Sequence, residues 1–201
     1  MFRIAVTLFI ALGSFAAQAE PDIAHGKELS AVCVACHGSD GNSPVGAFPS
    51  IAGQGQKYLV KQLVNIKEGT RAAMLMTGIL DNYTNQDMQD VAAYFASQVP
   101  KGGTADTDLV DLGESIYRGG IARKNVAACT ACHSPTGQGN GAAAFPMLAG
   151  QWPEYTEAQL KLFRSGMRNN DGDGRMMRLT AMDLSDKEIA AVASYVRGLR
   201  K

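Results

Sequence analysis

The sequence predicts an all-α protein made of two similar helical domains. Three observations support this prediction: a short segment recurs in the second half of the chain, amphipathic helical patterns follow each copy, and a Pro- and Gly-rich stretch separates the copies. The length of 201 residues allows one domain or two, and an apolar fraction of 46% suits a folded chain. The repeat favours two domains.

The repeated segment is Phe-Pro-X-X-Ala-Gly-Gln, at residues 48–54 and again at residues 145–151. A helix is predicted after each copy, near Gln56 to Glu68 and near Glu154 to Ser165. Apolar residues recur there at helical spacing, and a glycine follows each pattern as a C-cap. One helical unit is therefore present twice.

Each copy is predicted to end in a capped amphipathic helix. Thr84 with Asp87, and Ser185 with Glu188, match the start of a capping-box helix. The apolar residues behind each cap form one stripe, which indicates a core face rather than a cofactor site. The stripes consist of Met88, Val91, Ala92 and Phe95 in the first copy, and of Ile189, Val192, Ala193, Val196 and Leu199 in the second.

Residues 1–19 are predicted to be a cleaved signal peptide that directs the protein to the periplasm. Arg3 is followed by an apolar run, and Ala17 to Ala19 form a small-residue cleavage pattern. The run is too short for an uncleaved membrane anchor, which needs roughly 20 residues. Because Arg3 is the one charged residue removed, 19 basic residues become 18 against 19 acidic ones. The mature chain has no excess charge for binding nucleic acid.

A stretch rich in Pro and Gly, residues 100–107, is predicted to link the two copies. It separates an N-terminal domain of residues 20–99 from a C-terminal domain of residues 108–201. Each domain is small for an apolar core that acts alone. A further stabilising group inside each domain is therefore expected.

All four cysteines lie in two copies of the motif Cys-X-X-Cys-His, so none remains for a structural disulfide. Two thiols at this spacing can each add to a haem vinyl group, and the adjacent imidazole then lies under the iron. Two covalently bound haem c groups are therefore predicted. The attachment residues are Cys33, Cys36, Cys129 and Cys132, and the proximal iron ligands are His37 and His133.

Three other uses of these cysteines fit less well. A zinc site would need Cys36 and Cys129 to be much closer in sequence, since such pairs lie roughly 15–20 residues apart. A redox dithiol would leave the histidine after each motif unexplained. A disulfide within either motif would close a very tight loop. Haem attachment is the interpretation that uses every residue of both motifs.

The second axial ligand is predicted to be methionine. His25 is the one histidine outside the motifs, so the chain cannot supply two bis-histidine haems. We expect His25 to lie at the surface, as isolated polar residues usually do. Thioether ligation opposite histidine is typical of electron-transfer cytochromes.

The repeat selects among the methionines. When the two capping residues are aligned, Met76 coincides with Met177, and no other methionine has a methionine partner. These two are the predicted sixth ligands, with Met176 as the main competitor. Met88 and Met147 are expected to fill space in the interior, as flexible apolar side chains do.

Taken together, these segments resemble a known family, the dihaem cytochrome c4 proteins, which are tandem class I cytochromes c. The resemblance covers the whole mature chain. It is carried by both Cys-X-X-Cys-His motifs, both Phe-Pro-X-X-Ala-Gly-Gln segments, and residues 37–43, 76–78 and 168–173. It implies two helical haem domains in contact, in a periplasmic protein often held loosely at the inner membrane. A quinol-cytochrome c reductase type of donor and a terminal oxidase as acceptor are the partners it implies.

The resemblance also assigns roles to single residues. By position, the family's methionine ligands match Met76 and Met177. In class I cytochromes a proline carbonyl commonly orients the proximal imidazole, and Pro49 and Pro146 match that proline. The segment between Gly69 and Met76 is shorter than in familiar members, which affects the expected shape of the first haem's exposed edge.

Two further sequence features lie close to the predicted methionine ligands, and each allows more than one interpretation. Residues 169–174 alternate acidic and amide side chains, but Thr180 stands where a calcium loop needs its closing glutamate. A turn that delivers Met177 is the preferred interpretation. Arg71 and Arg178 are either donors to haem propionates or solvated side chains, and the sequence leaves both readings open.

These observations predict an electron carrier rather than an enzyme. Each iron would cycle between two oxidation states with both axial ligands retained, so no substrate would bind the metal. There are two alternatives: a dihaem peroxidase-like enzyme with one vacated axial site, and the cytochrome subunit of a dehydrogenase. The short chain, the scarcity of histidine and the matched methionines count against the first. The sequence contains no feature that separates the second alternative, a dehydrogenase subunit, from an independent electron carrier.

Overall fold

The computed structural model describes residues 19–200, so the predicted signal peptide lies outside the described residues except for its last position. Within this range the secondary structure is helical. Two isolated bridges, Ile121 to Val126 and Asn140 to Phe145, are the only β-type pairings there. The predicted all-α class is confirmed. Among the same residues, no helix combines the length and the apolar character that crossing a bilayer requires.

From residue 19 onward, the N-terminal half contains four α-helices and two short 3-10 helices. The α-helices are α1 (Ile23–Leu29), α2 (Val34–His37), α3 (Gln56–Lys67) and α4 (Asn85–Ala96). The 3-10 helices are Ser30–Cys33, directly before α2, and Met74–Met76. Helix α4 packs against both α1 and α3.

The C-terminal half repeats this order. Its α-helices are α5 (Val110–Gly119), α6 (Thr130–His133), α7 (Pro153–Arg164), α8 (Met176–Ala181) and α9 (Asp186–Gly198), with a 3-10 helix at Ala122–Lys124. Helix α9 packs against α5 and α7, as α4 packs against α1 and α3. Helix α8 occupies the place in the order that the 3-10 helix Met74–Met76 has in the first half.

The ends of the predicted helices are set by local hydrogen bonds. The hydroxyl of Thr84 accepts the backbone N–H of Asp87 at 3.1 Å, and the Asp87 carboxylate accepts the Thr84 N–H at 2.7 Å. Ser185 and Glu188 form the same capping box at the start of α9. Both predicted capping boxes are confirmed. The glycines that follow α3 and α7 have φ angles of +74° and +76°, as C-cap glycines do.

The two predicted apolar stripes form the cores of the two halves. All of their residues are buried except Leu199, which is half-buried against the second core. The first helix of each half crosses the stripe helix at a glycine. A Cβ atom on Gly26 would lie 2.0 Å from the Asp90 carbonyl oxygen, and one on Gly113 would lie 2.3 Å from the Ala191 carbonyl oxygen. Only glycine permits these crossings.

The predicted linker, residues 100–107, contains no helix and is bonded to both halves. The backbone N–H of Lys101 donates to the Asn42 side chain at 2.7 Å. The N–H of Asp106 donates to the Ser194 hydroxyl at 2.8 Å. The segment therefore lies packed along both halves of the chain.

Candidate functional site

The first candidate site is built on α2 and the 3-10 helix before it. Cys33 and Cys36 are half-buried free thiols, and His37 at the end of α2 is buried. His37 Nδ1 lies 2.9 Å from the carbonyl oxygen of Pro49. Because a carbonyl can only accept, Nδ1 carries the proton and Nε2 keeps its lone pair for a metal. The edge of Phe48 packs beside the imidazole, with ring centroids 6.5 Å apart.

The second candidate site has the same construction. Cys129 and Cys132 are half-buried free thiols, and His133 at the end of α6 is buried. His133 Nδ1 lies 2.9 Å from the carbonyl oxygen of Pro146, and Phe145 packs beside the ring at 6.3 Å. The predicted proline carbonyls therefore hold both imidazoles in the same tautomer.

Burial determines the protonation state of both sites. It lowers the pKa of His37 and of His133, which favours the neutral imidazole that binds metals. It also raises the pKa of Cys33 to about 11 and of Cys129 to about 11. The thiols of Cys33 and Cys129 are therefore protonated at neutral pH. All four cysteines are free of disulfides. This donor set fits haem c, whose vinyl groups bond to such thiols and whose iron takes an imidazole.

The predicted methionine ligands differ from their neighbours in exposure. Met76 ends the short 3-10 helix and is half-buried, whereas the side chain of Met74 in the same helix is 88% exposed. Met177 in α8 is half-buried, whereas Met176 is 50% exposed. Met88 is buried in the core of the first half, as expected. In each of these neighbouring pairs, Met74 with Met76 and Met176 with Met177, the methionine that the repeat selects is the less exposed one.

The loop before α8 is held by an ion pair between Arg178 and Asp171. Arg178 Nε donates to the Asp171 carboxylate at 2.6 Å, and the same carboxylate accepts the Arg178 backbone N–H at 2.9 Å. The Asp171 side chain is nearly buried. These bonds form a turn that leads directly into α8, and Met177 lies at the start of that helix. Arg178 thus has a protein partner, which neither reading from the sequence foresaw.

His25 lies at the surface but is not free. Its Nδ1 lies 2.8 Å from a carboxylate oxygen of Asp90, and its side chain is 43% exposed. Asp90 is buried, and it also accepts the Asp22 backbone N–H and the Gln86 side chain. The hydrogen bond that His25 donates to the Asp90 carboxylate raises the pKa of His25. No local sequence pattern indicates this pair, because its two members lie 65 residues apart in the chain.

A polar network joins the two halves and was not foreseen from the sequence. The guanidinium of Arg168 is buried and donates to Gln159 at 2.7 Å, Gln62 at 3.1 Å and Tyr58 at 3.2 Å. Arg71 donates to Gln62 at 2.9 Å and, across the contact, to a tyrosine hydroxyl of α7. The signal that could have revealed this network is positional: each arginine follows a C-cap glycine by two residues, in both halves.

Two equivalent sites, each with a Cys-X-X-Cys pair and a carbonyl-anchored histidine, define a helical protein that carries covalently attached haem. The comparison with known families agrees, since the model of the Cytochrome c family matches residues 23–98 and 121–200 of this chain. The chain belongs to the cytochrome c family and, within it, to the dihaem cytochromes c4. The resemblance found in the sequence is confirmed.

Known proteins and one solved structure are similar to most of the chain. Cytochrome c4 of Azotobacter vinelandii is 50% identical, and the alignment covers 99% of this chain and all of that protein. The crystal structure of reduced recombinant cytochrome c4 from Pseudomonas stutzeri is 48% identical, with a TM-score of 0.88, and covers 90% of this chain and all of that one. A thiosulfate dehydrogenase electron acceptor of Stutzerimonas stutzeri is 35% identical over 81% of this chain and 76% of its own length.

Family membership fixes the cofactor and the kind of activity. The protein carries two covalent haem c groups, indicated by the two Cys-X-X-Cys motifs, and it is an electron carrier rather than an enzyme. Haem c supplies a one-electron couple between Fe(II) and Fe(III). The polypeptide contributes the orientation of the imidazoles, the burial of the site and the contact between its two halves.

Proposed function

We propose that this protein is a periplasmic electron shuttle of a respiratory chain. Its first haem is held by His37 and Met76 and its second by His133 and Met177. It takes electrons from a donor of the quinol-cytochrome c reductase type and delivers them to a terminal oxidase. The observation that carries the proposal is the duplicated site, in which two buried imidazoles are anchored by proline carbonyls.

The residues of each site have separate tasks under this proposal. The thiols attach the macrocycle, and the proline carbonyl fixes the tautomer and direction of the imidazole. The thioether of the methionine closes the sixth position and favours the reduced state. With both axial positions filled by side chains, electrons pass without any substrate bonding to the metal. The domains proposed for this work are residues 20–99 and 108–201, with 100–107 between them.

Matched methionine variants test the ligands. Met76→Ala should leave one haem without its sixth ligand, so that this haem becomes high-spin and binds carbon monoxide, whereas Met74→Ala should leave the spectrum unchanged. Met177→Ala and Met176→Ala form the corresponding pair in the second half. If the variant of the exposed methionine opens the haem instead, the assignment in that half is wrong.

Fractionation and N-terminal sequencing test the location. The mature protein should appear in the periplasmic fraction and begin at Glu20, after cleavage at Ala19. A portion bound peripherally to the inner membrane should be released by salt. Retention of the leader or recovery in the cytoplasm would contradict the proposal.

Oxygen uptake by membranes that contain a terminal oxidase tests the acceptor. Adding the reduced protein should restore uptake in membranes washed free of soluble cytochromes, and the rate should saturate with its concentration. The reduced protein should itself be oxidised at the rate at which oxygen is consumed. Oxidation no faster than without membranes would remove the terminal oxidase as the partner.

A second candidate function follows from the similarity to thiosulfate dehydrogenase electron acceptors. Under this alternative the donor is a dehydrogenase rather than a quinol-oxidising complex. Rapid reduction of the purified protein by a thiosulfate dehydrogenase with its substrate, together with co-purification of the two, would favour it. Rapid reduction by the quinol-oxidising complex alone would favour the first candidate.

A further inference from the structure

Two glutamines each bind the backbone of the opposite half. The Gln54 side chain donates from Nε2 to the Met147 carbonyl at 3.0 Å, and its Oε1 accepts the Met147 N–H at 2.8 Å. The Gln151 side chain makes the same pair of bonds with Ser50, at 2.8 Å and 2.9 Å. These glutamines end the two copies of the repeated Phe-Pro-X-X-Ala-Gly-Gln segment. The contact is therefore reciprocal.

The orientation of each glutamine amide is fixed by a further bond. Oε1 of Gln54 also accepts the Gly55 N–H at 2.9 Å, and Oε1 of Gln151 also accepts the Trp152 N–H at 3.0 Å. An oxygen that accepts two N–H groups cannot be exchanged with the amide nitrogen. Gln54 is buried. Each side chain is thus held with its oxygen toward the N–H of the opposite half.

The peptide group that each glutamine binds is the one that orients a proximal histidine. The Pro49 carbonyl, which accepts from His37, and the Ser50 N–H, which donates to Gln151, belong to one peptide unit. The Pro146 carbonyl, which accepts from His133, is paired in the same way with the N–H that Gln54 binds. Each half therefore supports the imidazole of the other.

Hydrogen bonds on the two sides of one peptide unit reinforce each other. Resonance makes the peptide polarisable as a whole, so donating its N–H strengthens its carbonyl as an acceptor. A stronger acceptor on Nδ1–H raises the basicity of the imidazole. A more basic axial ligand stabilises Fe(III), and the reduction potential of that haem falls.

We propose that Gln54 and Gln151 are positioning residues that act across the contact between the halves. Gln151 lowers the potential of the haem on His37, and Gln54 lowers the potential of the haem on His133. The contact between the halves thereby lets a glutamine of each half lower the reduction potential of the haem in the other half. This proposal rests on the proposed role of the two histidines as proximal ligands.

Redox titration of the full-length holoprotein tests the proposal. Gln151→Leu keeps a similar volume but removes both bonds to Ser50, so the haem on His37 should become easier to reduce. At a fixed applied potential its ratio of reduced to oxidised form should rise several-fold, while the other haem keeps its wild-type ratio. Gln54→Leu should have the mirror effect on the haem on His133. The Nδ1–H resonances of the two histidines, assigned by NMR in the reduced protein, identify which site has changed.

A control variant separates this effect from a general loosening of the contact. The Tyr58 hydroxyl accepts from Arg168 across the same contact at 3.2 Å, and Tyr58 bonds to neither proline segment. Tyr58→Phe should leave both potentials in place. A second variant, Gln151→Glu, keeps an acceptor oxygen for the Ser50 N–H, so the potential of the haem on His37 should not rise.

The outcomes are distinct. A crossed rise in potential, with loss of hydrogen-exchange protection at the amide of Ser50 or Met147, supports the proposal. A shift in the haem of the mutated half, an equal shift in Tyr58→Phe, or no shift overturns it. Should Gln151→Leu fail to fold, a rise in the potential of the haem on His37 in Gln151→Glu overturns it. A wild-type protein without two low-spin haems would instead refute the proposed ligands, which is a separate result.

Discussion

The crossing of α5 and α9 provides the sharpest prediction about stability. Gly113 faces α9 so closely that an added Cβ would lie 2.3 Å from the Ala191 carbonyl oxygen and 2.6 Å from the Tyr195 Cβ. Ordinary contacts of this kind begin near 3.4 Å. In Gly113→Ala the helices must therefore separate by about 1 Å, since neither neighbour is a flexible side-chain end.

That separation disturbs a well-packed core. Ile116 and Tyr117, on the same helix, are fully buried against α9 and lose contact with it when the helices move. Overpacking of this kind costs roughly 1–3 kcal/mol. In a domain of this size, each kcal/mol lowers the melting temperature by roughly 4–8 °C.

Guanidinium unfolding of the holoprotein, followed by circular dichroism and by haem absorbance, measures the effect. The midpoint should fall while the slope of the free energy of unfolding against denaturant stays the same. Gly119→Ala is the matched control, because it lies in the same helix and nothing lies within 4 Å of its added Cβ. That variant should be as stable as the wild type or up to about 1 kcal/mol more stable. Equal stability of the two variants would refute the close crossing.

Three further predictions concern charge and cofactor. Asp90 raises the pKa of His25, so the pair stabilises the folded state fully below about pH 6.5 and loses this contribution as pH rises through the higher folded pKa. In urea melts, His25→Gln should lower the free energy of unfolding at pH 5.5 and leave it unchanged at pH 9. Lys124 holds the pKa of Glu188 at about 2. Lys124→Met should therefore lower the free energy of unfolding by about 1–2 kcal/mol at pH 7. In acid-unfolding curves this difference should vanish as pH falls from 4.5 toward 2. Cys-to-Ala replacement in both motifs should leave a chain without native helicity by circular dichroism, and cooperative melting of that chain would contradict the role given to haem as part of each core.

The features that follow from local sequence were predicted well. The capping boxes at Thr84 and Ser185, and the glycines after α3 and α7, depend on residues within a few positions of one another. Their hydrogen bonds need no tertiary contact, and so the pattern alone indicates them. The two haem-binding motifs are equally local, because both thiols and the imidazole lie within five residues.

The features that depend on distant residues were not predicted. Helix α1 is only seven residues long, and it packs against α4 through the close crossing at Gly26, which is a contact between distant parts of the chain. The buried Arg168 has its partners in the other half of the chain, as do Gln54 and Gln151. A repeat identifies equivalent positions, but it does not say which of them meet when the two copies pack together.

The central claim is that each half holds one haem with both axial positions filled by side chains. The optical spectrum of the reduced periplasmic protein, recorded with and without carbon monoxide and with haem quantified per chain, tests it most directly. The account predicts two low-spin haems per chain and no change on adding the gas. One haem per chain, or a large carbon monoxide shift in either haem, would contradict it.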